Sequence, residues 1–346
     1  MKILIYGEYS GYGKSLATGF RALGYEASVF SPNGDGWKNI TSDFSLQSLT
    51  KIGKIIDLIC LIPRFLKFDI IMVTNPDFFK FKLLGPMILF LFNVFHKRIY
   101  LLCCGDDVEY IRAGESGLIK NFIYKGVSYP RENYFKTMED KFVNYICASS
   151  ALKIIPTMYD YELPWKMSQF NNKVTSVIPL ACDAKHVDDI KSTEMKSIKI
   201  MHGINRRDVK GSNVILAALN RIKNEFSNVV VYTPEKLSQS EYLELLHKID
   251  ISIDQCKSHS YGMNAIYSMF NGHVVLAPAD EFHCSSFNIT SSPIVSICNN
   301  EEQVYLKLKE ILTEANSLDD RKRNTLDYAK KHHDAIVVCQ KIINVL

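Results

Sequence analysis

The sequence predicts an α/β protein built as two parallel-sheet domains in tandem, and three observations carry that expectation. Short apolar runs of β character alternate with longer runs of helical spacing, the order that lays helices over both faces of parallel strands. The alternation breaks at a polar, charged stretch, 184–196, and restarts with a fresh apolar strand at Ile198. A chain of 346 residues is long enough for two ordinary domains.

The elements follow in order. Lys2 to Tyr6 is an apolar strand, Ser15 to Leu23 has helical spacing, and Glu26 to Phe30 is a second strand. A long helical stretch precedes Ile70 to Val73. Strand character then returns at Arg98 to Cys103, at Ala148, at Lys153 to Ile155 and at Val174 to Pro179. After the linker, Ile198 to His202 opens the second series, followed by a Gly-containing loop and a helix over Ser212 to Glu225. Val229 to Tyr232, Ile251 to Ile253, Val274 to Ala277 and Ile294 to Ser296 supply its further strands. A long helix is expected from about Ser317 to Leu346. The reading is two Rossmann-like domains, 1–183 and 197–330, a linker at 184–196, and a terminal helical segment, 331–346, that returns to the first domain. A cleft is expected between the domains.

Composition excludes several classes. The net charge of +4 is too small to point to nucleic acid, but it is unevenly placed. Residues 1–180 carry 21 Lys and Arg against 16 Asp and Glu, and 181–346 carry 20 against 21. An anionic partner of the surface would therefore meet the front half. Nine scattered cysteines without a CxxC pair argue against a zinc site or a disulfide framework and for reduced thiols in the cytoplasm. The opening MKILIYGEY lacks the apolar region of a signal peptide. The longest apolar stretch, Leu83 to Phe95, is interrupted by Gly85, Pro86 and Asn93 and is too short to span a bilayer.

Two motifs invite over-reading. Gly7 to Ser15 looks like a phosphate-binding loop, yet Glu8 occupies the position of the first glycine, and a carboxylate there opposes a phosphate. The better reading is a flexible loop at the carboxyl edge of the first strand, where doubly wound sheets bind ligands. The stretch Lys51 to Lys67 is apolar with sparse bases. It fits a core-facing helix with a solvated basic edge, or a helix lying on a membrane surface against anionic lipid. The sequence leaves both open.

The chemistry concentrates in the second series. His202-Gly203-Ile204-Asn205-Arg206-Arg207-Asp208-Val209-Lys210-Gly211-Ser212 follows a strand and opens a helix. Its guanidinium and ammonium groups can neutralise a diphosphate, and the helix dipole adds to the attraction. Further on, Asp254-Gln255, then Tyr261-Gly262, then a short Ala/Ile/Met helix ended by Gly272 before an apolar strand offers free amides at a second helix start.

These residues together resemble a GT-B glycosyltransferase of the retaining, family-4 type, in the subset with Asp-Gln and Tyr-Gly before this helix. His202 to Gly211 is similar to that family's His-Gly…Arg…Lys-Gly element. Val177 to Asp183 resembles the usual end of its first domain, Gly105-Asp106-Asp107 its Gly-x-Asp loop, and Phe68 to Val73 the strand before it. The likeness covers nearly the whole chain, strongly in 198–276 and weakly in 35–65 and 110–145.

The resemblance implies that Arg207 and Lys210 hold the diphosphate of a nucleotide-sugar, with Arg206 a close competitor. Gly203, His259, Gly262 and Met263 line the donor, and the amides of Asn264, Ala265 and Ile266 hold its distal phosphate. Gly11, Gly13 and Asp107 face the transferred sugar, while Tyr12, Asp106 and Asp107 face the acceptor. Asp107, Arg207 and Lys210 are the catalytic candidates. No side-chain nucleophile, metal or other cofactor is implied, and stabilisation of the leaving diphosphate is the main catalytic effect. The departures are Tyr267, counted with the donor-binding residues, which stands where relatives place a glutamate, His259, which stands where many relatives have a glutamate and the closest subset a glycine, and Cys104, which stands where a histidine is frequent. A tyrosine hydroxyl cannot accept two ribose hydrogen bonds as a carboxylate can. The expected function is transfer of a sugar to a glycan or lipid-linked acceptor in bacterial surface polysaccharide (O-antigen or capsule) synthesis, at or near the inner face of the plasma membrane. The alternatives are a non-catalytic GT-B subunit that binds a partner enzyme or glycan, and a sugar-nucleotide epimerase.

Overall fold

A computed structural model describes residues 1–32, 42–183, 190–235, 237 and 239–346. Of the polar tract expected to link the domains, 184–196, residues 184–189 lie outside them. The chain divides into two compact units. One comprises 1–119, 129–183 and 335–346, the other 120–128 and 184–334. The excursion of 120–128 into the second unit has no sequence signature.

The first unit runs β1 (Lys2–Tyr6), α1 (Tyr12–Ala22), β2 (Glu26–Phe30), α2 (Lys51–Phe65), β3 (Ile70–Val73), α3 (Leu84–Val94), β4 (Arg98–Leu101), α4 (Val108–Glu115), α5 (Met138–Ser150), β5 (Lys153–Ile154) and α6 (Tyr159–Lys166). Its sheet has the order β2-β1-β3-β4-β5, parallel throughout, with Ile3 opposite Ala27 on one side and Ile70 on the other. The step from β1 to β2 goes one way and every later step the other, so right-handed crossovers put α1 on one face and α2, α3 and α5 on the opposite one. The core agrees: Leu58, Phe65, Ile88, Phe92, Val143 and Cys147 of those three helices pack with Tyr6, Phe30, Val73 and Leu101 of the strands.

The second unit runs β6 (Ile198–His202), α7 (Arg207–Lys210), α8 (Ser212–Glu225), β7 (Val229–Tyr232), α9 (Gln239–Leu246), β8 (Ile251–Ile253), α10 (Met263–Phe270), β9 (Val274–Ala277), α11 (Glu281–Ser286), β10 (Val295–Ser296), α12 (Glu301–Thr313) and α13 (Leu318–His333). Its sheet, β10-β9-β8-β6-β7, is again wholly parallel. Ile215, Leu219 and Ile222 of α8 and Leu308 and Ile311 of α12 fill one core with Ile200, Ile253 and Leu276. The chain ends with α14 (Ala335–Ile343), which belongs to the first unit and packs on α1.

Three expectations need correction. Ala148 lies inside α5, where a capping box at Thr137 and Asp140 starts a helix that carries the apolar run through it. Val174 to Pro179 makes only one bridge, Ile154 to Val174. The expected single terminal helix is two, because Asp334 adopts an extended conformation and breaks the ladder before α14.

Candidate functional site

In the first unit the loop after β1 is closed by its own carboxylate. Glu8, 2% exposed, accepts from the backbone N–H of Gly11 at 2.7 Å and of Lys14 at 2.8 Å. Amides that could have cradled a phosphate are thus occupied by a fixed anion, which explains a glutamate where a phosphate-binding loop has glycine. Gly11 enters α1 with φ +89°, and a Cβ on Gly13 would stand 2.8 Å from the Gly7 carbonyl. Tyr12, expected to face the acceptor, is buried instead. As the first residue of α1 it points into the unit, near Cys103, Cys104 and Cys339, and burial raises its hydroxyl pKa.

The loop after β4 carries Asp106 and Asp107 and is fastened by Asn75, whose Nδ2 donates to the carbonyls of Cys104 and Asp106, both at 3.0 Å. Asp107 is 1% exposed. Its Oδ1 accepts from the Tyr110 N–H at 2.8 Å, capping α4, and its Oδ2 accepts from the Trp165 indole N–H at 2.9 Å. Burial pushes its pKa up to about 7 against those two hydrogen bonds. The geometry makes Asp107 a helix cap that fixes the loop. The more accessible carboxylate of the pair is Asp106, held by the Tyr134 hydroxyl at 2.9 Å. Beside α4 opens a cavity of about 880 Å³ with Val108, Ile111, Phe142 and Phe170 in its walls. Asn144 also lines it and leaves its Oδ1 without a hydrogen-bond partner.

In the second unit the loop after β6 is positioned by His202. Its Nδ1 lies 2.9 Å from the Ile253 carbonyl and its Nε2 2.9 Å from Ser212 Oγ. A carbonyl can only accept, so Nδ1 carries the proton and Nε2 accepts from the Ser212 hydroxyl. Burial holds the ring neutral, its pKa lowered to about 4. Between α7 and α8, Gly211 has φ +71°, and a Cβ there would lie 2.4 Å from Cys256 Sγ, so the tight junction requires glycine.

The three bases of this loop differ in environment. Lys210 is buried, and its Nζ sits 2.9 Å from Asp254 Oδ1 and 3.3 Å from the Gly203 carbonyl. The second oxygen of Asp254 accepts from the Gly262 N–H at 3.2 Å. Asp254 thereby ties the end of α7 to the start of α10, and Lys210, Gly203, Asp254 and Gly262 form one hydrogen-bonded set. Arg207 is exposed, reaching Glu235 at 2.6 Å and Asn213 at 3.3 Å. Arg206 donates to the Tyr124 hydroxyl at 2.6 Å.

Helix α10 begins at Gly262 without a side-chain cap, so its first-turn dipole is not answered by a side chain of the cap residue. Met263, Ala265 and Ile266 are buried, Asn264 is half-buried, and the Ala265 and Ile266 N–H groups, expected to be free for a phosphate, instead donate to the Gly262 carbonyl at 3.1 and 3.4 Å. Tyr267 is half-buried and packs on the cluster of Met201, Leu246 and Ile249. His259 stands apart from the lysine set: its Nδ1 lies 2.6 Å from Asp280 Oδ2, and its ring meets the Phe282 ring edge-on. Asp280 also caps α11 through the N–H groups of Phe282 and His283. Asp254, Glu235, Tyr124, Asp280 and Glu8 were missed as partners because each is distant in sequence or reads as an obstacle. Only the Asp254-Gln255 pair had a visible signal. Among the described residues, no group of three or more His, Cys, Asp and Glu could hold a metal ion.

No family model matches the sequence, and no curated protein matches it. Solved structures do. HepE from Anabaena, in complex with UDP-glucose, aligns over 100% of this chain and 99% of its own with TM-score 0.63 at 11% identity. Sucrose-phosphate synthase from Thermosynechococcus elongatus aligns over 99% and 97% with TM-score 0.62 at 12% identity. The fold is GT-B. UDP-GlcNAc 2-epimerase from Neisseria meningitidis, bound to UDP-GlcNAc, aligns at TM-score 0.50 and 10% identity over 100% of this chain and 99% of its own. At such identities the GT-B likeness concerns the path of the chain and says nothing of individual side chains.

Proposed function

We propose that this GT-B protein is a nucleotide-sugar-dependent glycosyltransferase that acts on a glycan or lipid-linked acceptor in surface polysaccharide synthesis. The observation that carries the reading is the hydrogen-bonded set at the carboxyl edge of β6 and β8. It puts Arg206, Arg207 and Lys210 on one loop and ties that loop through Asp254 to the start of α10. Two arginines with accessible guanidinium groups and a helix N-terminus suit a diphosphate. The likeness to HepE solved with UDP-glucose supports a nucleotide-sugar over other anions.

In this reading Arg206 and Arg207 neutralise the diphosphate, and the amide of Asn264 at the start of α10 receives its distal phosphate. Lys210 is paired with Asp254, so it adds little net charge and chiefly holds the loop in place. The bond from the sugar's anomeric carbon to the phosphate oxygen breaks, and the acceptor hydroxyl oxygen bonds to that carbon. The hydroxyl proton leaves with the nucleoside diphosphate. Charge grows on the departing diphosphate, and cations fixed beforehand stabilise it most. Retention of configuration and independence from metal belong to the same proposal. On the acceptor side the reading uses Asp106, and the apolar cavity beside α4 favours an acceptor with a lipid portion.

A screen of UDP-, GDP-, dTDP- and CMP-sugars by thermal shift, followed by assay for released nucleoside diphosphate, tests this. Stabilisation by one donor and slow release of its diphosphate is the expected result. The likeness to UDP-GlcNAc 2-epimerase supports a second reading. It would show as a new sugar-nucleotide epimer in the product with the diphosphate intact. Failure to bind any donor would leave the non-catalytic subunit.

A further inference from the structure

Helices α2, α3 and α5 cover one face of the first sheet, and their outer sides are apolar where a surface helix is ordinarily polar. Ile52, Ile56 and Ile59 of α2 and Met87, Phe90 and Val94 of α3 are all exposed, Ile52 at 73% and Phe90 at 65%. Phe142 and Tyr145 of α5 are exposed as well, at 53% and 51%, and line the cavity beside α4. None of these side chains is needed for the core, which is built from the opposite stripes of the same helices. Exposed apolar residues scattered singly are ordinary, but this many on adjacent helices mark a contact surface.

The charges around the face select the partner. Lys51 and Arg64 flank α2, Lys82 precedes α3, and Lys141 lies on α5, all exposed. The carboxylates of the region are committed internally: Asp57 accepts from the Ser48 N–H, Glu139 from the Lys82 N–H, and Asp77 and Asp140 pair with Lys80. Helix α3 itself carries no charge. Among the described residues no helix is long and apolar enough to cross a membrane. A second copy of the chain on the same face would bring this basic rim against itself, since a two-fold interface repeats one patch on both sides. A bilayer surface takes both features at once, apolar side chains in the acyl boundary and lysines against anionic headgroups.

We propose that the α2–α3–α5 face docks on an anionic lipid surface, with Ile56 and Phe90 entering the interface and Lys51 and Lys82 held by headgroup phosphates. This sharpens the lipid-linked part of the function proposed above. It stands on the face alone, because vesicle binding can fail while sugar transfer stands, and the reverse. The test is co-sedimentation of the whole chain with vesicles of phosphatidylcholine alone and of phosphatidylcholine with an equal part of phosphatidylglycerol.

The expected result is binding to the mixed vesicles, weakened by salt, and little binding to the neutral ones. The double variant Ile56→Ser, Phe90→Ser should bind the mixed vesicles at least about tenfold more weakly. Lys51→Glu and Lys82→Glu should each cost about fivefold or more, whereas Lys223→Glu on the second unit should change nothing. All five positions are exposed, so melting temperatures should stay near that of the parent protein and confirm the fold. Binding to neither vesicle would overturn the proposal. Equal binding to both, unaffected by the lysine variants, would remove the anionic part. A concentration-dependent dimer dissolved by Ile56→Ser, Phe90→Ser, without vesicle binding, would show that a second copy covers the face.

Discussion

Lys210 and Arg207 are adjacent on one loop, yet the structure gives them opposite liabilities. Lys210 and Asp254 are a buried pair, so Lys210→Ala strands a carboxylate and should cost roughly 3–5 kcal/mol of stability. Arg207 is exposed, and Arg207→Ala should stay within about 0.5 kcal/mol of the parent in urea unfolding. If it faces the diphosphate, its loss should raise the barrier to transfer by roughly 2–4 kcal/mol. Turnover and unfolding measured together separate the two effects. Near-parental turnover in Arg207→Ala, with Arg206→Ala inactive, would shift the phosphate contact by one residue. Tyr267→Phe should weaken donor binding by roughly 0.5–1.5 kcal/mol in calorimetry if the hydroxyl meets the ribose. Unchanged affinity would leave Tyr267 with a packing role on Met201 and Leu246.

Titration also belongs to single residues. His202, His273 and His283 are buried with pKa values lowered to about 4. Each therefore contributes stability that is present above its unfolded value near 6.5 and is lost as pH falls toward 4. Asp107, raised to about 7, works the other way: its contribution is full below about 4 and disappears as pH rises to 7. The Glu109 carboxyl, also raised by burial, acts with Asp107, but three histidines oppose these two carboxyls, so the urea midpoint should fall on acidification from about pH 6.5 to about pH 4. A midpoint that is flat or rising over that range would contradict the neutral, buried state of the histidines.

At the scale of elements, the pairing of α1 with α14 is the contact most open to a sharp test. Gly19 of α1 faces the start of α14, and a Cβ there would lie 2.3 Å from the Ala335 carbonyl oxygen and 2.7 Å from Cys339 Sγ. Backbone cannot yield as a flexible side chain can, so Gly19→Ala should cost about 1–3 kcal/mol and loosen α14. Limited proteolysis should then cut near Asp334 earlier than in the parent. Equal cutting rates would mean that α14 shifts without detaching. The Tyr100 hydroxyl, which donates to the Leu346 carbonyl at 2.9 Å, fixes the far end of the same segment.

For the whole molecule, the front-half excess of bases and the apolar stretches around 51–67 and 83–95 were legible as separate facts. Their meeting on one sheet face was not. It follows from strand order, because β2-β1-β3-β4 sends α2 and α3 to the same side. Strand order depends on which apolar runs pair, a long-range choice that no local pattern records.

The sequence by itself determined the two α/β units, the restart at Ile198 and the helix over Ser212 to Glu225, because periodicity and breakers act over a few residues. It also pointed to the basic loop at 202–211, since charge beside a helix start is a local feature. Only the tertiary structure decided what those charges face. Lys210 meets Asp254 across 44 positions, Arg206 meets Tyr124 across 82, and Asp107 turns inward to Trp165. Glu8, which read as an objection to a phosphate loop, proved to be the anion that the loop was folded around. The physical reason is common to all four. Hydrogen bonds and ion pairs between distant segments are fixed by packing, and packing is a property of the folded chain rather than of any window along it.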